Sequence, residues 1–111
     1  MDPEAIWRDL CPADRLRDGK LLGFRIGGVK LCAGRSGDRF FALDDTCPHA
    51  GGSLAEGLID EDLVVCPLHA YAFEVESGRC IDDPACSVGA YPIRVENGML
   101  QVRLRRQESI P

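Results

Sequence analysis

The stretch Tyr91-Pro92-Ile93-Arg94-Val95-Glu96-Asn97-Gly98-Met99-Leu100-Gln101-Val102-Arg103-Leu104 decides the fold class. Asn-Gly is the strongest short hairpin signal in the chain, because both residues tolerate the positive φ that a type I′ turn needs. On one side of it Tyr91, Ile93 and Val95 alternate with Arg94 and Glu96. On the other, Leu100, Val102 and Leu104 alternate with Gln101 and Arg103. A period of two puts one face of this hairpin in a core and the other in water.

The same grammar recurs upstream. Leu21 to Ile26 and Val29 to Ala33 flank Gly27-Gly28, a second two-residue hairpin signature. Arg39 to Asp44 follows the turn Ser36-Gly37-Asp38, Leu63 to Cys66 follows the acidic turn Asp60-Glu61-Asp62, and Tyr71 to Val75 leads into Ser77-Gly78. No window sustains a helical apolar period beyond two turns, although Pro12 to Arg17 suits one short helical turn. The chain is therefore expected to be all-β, an antiparallel β sandwich or barrel whose closure removes exposed edges. Trp7 and Phe40-Phe41 are expected as core or sheet-face aromatics.

At 111 residues, the length suits a single domain over 1–111, with a frayed tail at 105–111. No run of about 18 apolar residues suggests a membrane span, and the start lacks a secretion pattern, so a cytoplasmic location is expected. The net charge of -5, from 18 acidic and 13 basic side chains, excludes an electrostatic footprint for nucleic acid or anionic membrane. A basic protein partner suits it better. Six cysteines in a reducing compartment point to metal where histidines are near. Cys11, Cys32, Cys80 and Cys86 read as small buried hydrophobes, and a bridge between Cys80 and Cys86 stays open.

Two segments break the strand rhythm, at about 45–55 and 66–71. They hold Cys47-Pro48-His49-Ala50-Gly51-Gly52 and Cys66-Pro67-Leu68-His69, including both histidines of the chain. Each loop offers one thiolate and one imidazole, whereas a structural zinc site usually pairs like with like. The mixed set Cys47, His49, Cys66 and His69 suits an asymmetric binuclear iron centre. Zinc binding as a structural or interaction module is the alternative. Cys-His nucleophilic catalysis is a further one, but nothing in the pattern supplies an oxyanion hole.

These two boxes resemble the ligand boxes of the Rieske family, and weaker likeness extends from about Trp7 to Leu104. The resemblance implies a Rieske-like β fold with a small cluster-binding subdomain of two loops. It implies one 2Fe-2S cluster, with Cys47 and Cys66 on the inner iron and His49 and His69 on the outer one. Pro84 falls where the family has a third loop over the cluster. Gly52 and Leu68 stand where respiratory members carry extra, disulfide-forming cysteines, so no such clamp is expected. In function the chain is similar to ferredoxins serving ring-hydroxylating dioxygenases, carrying single electrons between a flavin reductase and a terminal oxygenase. The alternative within the family is the small subunit of NAD(P)H-dependent nitrite reductase, whose partner is the large subunit. The acidic residues Asp44, Asp45, Glu56, Asp60, Glu61 and Asp62 lie near the boxes in sequence and are expected to steer docking.

Overall fold

The computed structural model describes residues 5–48, 51–68 and 70–105. Ten strands, numbered in chain order, form three antiparallel sheets. The first contains β1 (Ala5–Pro12), β10 (Met99–Arg105) and β9 (Ile93–Glu96), in that order across the sheet. The second runs β2 (Leu21–Ile26), β3 (Val29–Ser36), β4 (Arg39–Asp44), β8 (Ala90–Tyr91). The third and smallest is β5 (Leu58–Asp60), β6 (Leu63–Val65), β7 (Ala72–Glu74). No α-helix occurs among the described residues, and no helix there is long and apolar enough to cross a membrane.

The expected hairpins form. Asn97 and Gly98 adopt φ of 52° and 77°, and Gly27 and Gly28 adopt 56° and 85°, which are the left-handed values that a two-residue connection demands. The helical turn upstream is a single 3-10 turn at Ala13–Arg15.

The four-stranded sheet is the middle layer, covered on both faces. Leu31, Ala33 and Ala42 pack toward the β1-β10-β9 sheet, against Leu100, Val102 and Leu104. Their neighbours in the chain, Cys32, Phe41 and Leu43, pack the other way, with Val64 and Phe73 of the small sheet and with Val75 just beyond its last strand. Strands buried on both faces lose the polar-apolar alternation, which is why Phe41-Ala42-Leu43 reads as one apolar run.

The structure adds two strands to those expected and corrects the placement of one residue. β1 is a strand that the sequence pattern does not announce: its partner β10 lies at the other end of the chain, and an irregularity between Asp9 and Cys11 breaks its alternation. β5, only three residues long, is likewise too short to stand out. Val95, expected in the core, is 46% exposed, because β9 is the edge strand of its sheet. On the outer face of that sheet the guanidinium of Arg94 stacks on Trp7, 4.1 Å from the ring centroid, so Trp7 is a sheet-face aromatic. Of the tail expected to fray, Arg105 closes β10 and 106–111 lie outside the described residues.

The chain leaves the middle sheet at Asp44 and rejoins it at Gly89. These two residues are bound to each other: Asp44 N–H donates to Gly89 O at 2.9 Å, and Gly89 N–H donates to Asp44 Oδ2 at 2.8 Å. Tyr91 Oη adds a third link, donating to Asp44 Oδ1 at 2.6 Å. Everything between belongs to the excursion that carries both cysteine-histidine loops.

Candidate metal centre

The first loop is closed at its base by a bridge between Thr46 and Ser53 and by Cys47 N–H donating to Gly52 O at 2.8 Å. Inside it, Gly51 N–H donates to Cys47 O at 2.7 Å, so this donor is engaged within the loop. Asp45 locks the loop from behind. Its carboxylate accepts from Ser53 Oγ at 2.9 and 2.8 Å and from Ala55 N–H at 2.9 Å, while its carbonyl accepts from Leu54 N–H at 2.7 Å.

The second loop joins β6 to β7 and is held by Cys66 N–H donating to Tyr71 O at 2.8 Å. A third segment, after β7, packs alongside. Asp82 accepts from Ala72 N–H at 2.8 Å, and Ile81 N–H donates to Ala72 O at 3.0 Å. Pro84 begins a 3-10 turn over Pro84–Cys86, capped by Asp83, whose Oδ1 accepts from Ala85 N–H at 3.1 Å. Ser87 Oγ then accepts from Cys80 N–H at 3.0 Å and fixes the return.

These anchors bring Cys47 and Cys66 together. Both are buried, at 0% and 1% exposure, and their thiols are hydrogen-bonded to each other. Burial pushes the Cys66 thiol above its usual pKa, the Leu68 N–H bonded to its sulfur pulls it back, and the Cys47 thiol pushes it up again. Two adjacent buried sulfurs that are not joined in a disulfide are the donor chemistry of a soft or borderline metal such as iron. His49 and His69 lie outside the described residues. Among the described residues no group of three or more His, Cys, Asp or Glu side chains is placed to hold a metal ion.

The remaining cysteines are unbridged, which answers the question of a Cys80–Cys86 disulfide. Cys11, Cys32 and Cys80 are buried, and burial, with Asp45 nearby, pushes Cys32 up to about 12. Cys86 is only half-buried; desolvation and its Asp83 partner, 3.5 Å from its sulfur, raise its pKa. Tyr71 is raised by desolvation and then by Asp83, Cys86, Cys80 and Asp82, so its phenol stays protonated at neutral pH.

The acidic residues expected to steer docking separate into three kinds. Asp44 and Asp45 are half-buried and occupied in the hydrogen bonds above. The pairing of Leu58 with Val65 and of Asp60 with Leu63 places Asp60 and the turn at Glu61 and Asp62 at the end of the small sheet opposite Cys66. There Ser36 Oγ donates to Glu61 O at 2.7 Å, tying that turn to the β3–β4 connection. Only Glu56 is both exposed and next to a ligand loop. The locking role of Asp45 goes beyond the docking role expected of it; its sequence signal is an aspartate two residues before the first box with Ser53 at the loop's far end.

A β domain that brings two cysteine-bearing loops together at a pair of buried thiols has the donor chemistry of a metal-binding class of fold. Residues 6–96 match the family described as the Rieske [2Fe-2S] domain, and the chain belongs to that family. Membership implies one Rieske-type 2Fe-2S cluster as its cofactor, in place of zinc. The chain is 37% identical over 100 residues to Ferredoxin CarAc of Metapseudomonas resinovorans, covering 87% of this chain and 92% of that protein. It is similar in structure to a candidate NADH-dependent nitrite reductase small subunit from Mycobacterium tuberculosis, with TM-score 0.84 and 29% identity over 90% and 96% of the two chains. It is also similar to a chain in the complex of reduced oxygenase and oxidized ferredoxin in carbazole 1,9a-dioxygenase, with TM-score 0.78 and 34% identity over 86% and 99%.

Proposed function

We propose that this chain is a Rieske-type ferredoxin: a single domain over 1–111, working in the cytoplasm, that carries electrons from a flavin reductase to a terminal oxygenase of the ring-hydroxylating type. The supporting observation is the likeness to Ferredoxin CarAc, 37% identical over 92% of that protein's length. In this reading Cys47 and Cys66 hold one iron and His49 and His69 the other. The bound cluster would supply one reversible electron and nothing else, so no bond-making chemistry is assigned to the chain.

What the protein contributes is the setting. Burial of Cys47 and Cys66 keeps water from their sulfurs, and the Leu68 N–H donates to one of them, which favours the more negative, reduced state. With imidazole replacing two thiolates, Rieske midpoints run from roughly -150 to +300 mV, against about -400 mV for four-cysteine plant-type clusters. Gly52 and Leu68 leave the two loops without a disulfide clamp, and the midpoint is expected near the lower end. The purified protein should be red-brown, bleach with dithionite, and contain iron and acid-labile sulfide in equal amounts. A colourless protein, or a midpoint well above zero in a redox titration, would contradict this assignment.

The second reading, a nitrite reductase small subunit acting with its large subunit, is favoured by the TM-score of 0.84 to the mycobacterial structure. Reduction kinetics decide between the two. Rapid electron delivery to a ring-hydroxylating oxygenase, with none to a nitrite reductase large subunit, is the expected result.

A further inference from the structure

The two ligand loops also touch at a point beyond the cysteine pair. A Cβ built on Gly52 would lie 3.0 Å from Cδ1 and 3.2 Å from Cγ of Leu68, and 3.5 Å from Sγ of Cys66. Leu68 thus sits on the bare backbone of Gly52, beside the Cys66 sulfur. Its side chain belongs to one loop and its seat to the other.

The two adjacent glycines differ in a way that isolates this contact. Gly51 has φ of 73° and nothing within 4 Å of its absent Cβ, so its requirement is conformational. Gly52 lies outside the left-handed region, and what its hydrogen makes room for is Leu68. Leu68 nevertheless leaves 45% of its surface in solvent. An apolar side chain that gains so little burial, yet fits a notch next to a metal-binding sulfur, has a use other than core packing.

We propose that Leu68 is a positioning residue that latches the Cys66 loop onto the Cys47 loop through Gly52 and shields the Cys66 sulfur from water. The proposal rests on the reading that Cys47 and Cys66 hold the cluster. Water reaching the sulfur would stabilise the more negative reduced state and raise the midpoint. It would also admit the species that degrade the cluster, shortening its life in air.

The test uses the full-length, cluster-loaded protein and four variants: Leu68→Ala, Leu68→Met, Gly52→Ala, and the double variant with alanine at both positions. Two quantities are read, the midpoint potential and the rate at which visible absorption bleaches in air. Leu68→Ala should bleach several-fold faster and titrate at a higher midpoint, and Leu68→Met should restore both. Gly52→Ala should resemble Leu68→Ala, because the new methyl lifts Leu68 from its seat. In the double variant the second change should add little, since the methyl then occupies vacated space; such non-additivity is the signature of direct contact. A loaded Leu68→Ala protein with unchanged bleaching and midpoint, or strictly additive effects, overturns the latch while leaving the ligand reading intact. A wild-type protein that purifies without iron and sulfide overturns the ligand reading and the latch with it.

Discussion

The β1-β10-β9 sheet and the β5-β6-β7 sheet flank the same middle layer but are held to it by different forces. The first has long strands, seven and eight residues in β10 and β1, and meets the middle sheet through Leu100, Val102, Leu104, Leu31 and Ala42, all buried. The second has strands of three residues each and a core in which Cys47, Cys66 and Cys80 sit beside Phe73, Val64 and Leu54. Around that core the loops are secured by single carboxylates and hydroxyls: Asp45, Asp82, Asp83 and Ser87. One side is a scaffold stabilised by apolar area; the other is a set of loops anchored by individual hydrogen bonds around buried thiols.

The largest effect that would test this contrast comes from Cys66→Ser. It should abolish the cluster, and hydrogen exchange should accelerate throughout β5, β6 and β7 while β3 and β4 stay protected. Equal loss of protection in all three sheets would erase the distinction between scaffold and loops. Next in size, Phe73→Ala should lower unfolding free energy by about 3–5 kcal/mol and Leu104→Ala by about 2–5 kcal/mol. Only Phe73→Ala should also perturb the visible spectrum, which separates the two sides at comparable destabilisation.

Asp45→Ala removes the acceptor for Ser53 Oγ and Ala55 N–H and should destabilise by about 1–3 kcal/mol in denaturant titration. Asp45→Asn keeps an acceptor oxygen and should lose less. The smallest effect is a matter of labelling. In the folded protein Cys86 should alkylate slowly near neutral pH, and faster as pH rises past 9, because its raised pKa keeps it a thiol below that point. Cys32, buried and pushed up to about 12, should remain unlabelled until the chain unfolds. Mass spectrometry of alkylated peptides reads both.

The same contrast explains how much is legible without coordinates. Hairpins closed by Asn97-Gly98 and Gly27-Gly28 are legible because turn chemistry is local. The two cysteine-histidine boxes stand out because their spacing is local too, and of their residues Cys47 and Cys66 are brought together. β1 is not, since its pairing with β10 joins the ends of the chain and its irregularity at Asp9–Cys11 disturbs the pattern. The acidic turn misleads for a related reason: Glu61 and Asp62 are close to Cys66 along the chain, but a hairpin strand carries them to the other end of the small sheet. Asp45 looks like a surface charge because its partner Ser53 lies eight residues on. Only the pairing of an aspartate before the first box with a serine at the loop's far end hints that the chain turns back to it.

The clasp between Asp44 and Gly89, spanning 45 residues, brings both ends of the loop-bearing excursion to one place on the middle sheet. Its two ends meet where β4 also pairs with β3, and its inner face rests on Cys32, Phe41 and Leu43 of the middle sheet. To graft onto another antiparallel scaffold, the segment would need two neighbouring strand ends at the same spacing and an apolar sheet face in place of Cys32, Phe41 and Leu43. The excursion and the sheet face that seats it are thus exchangeable only as a pair.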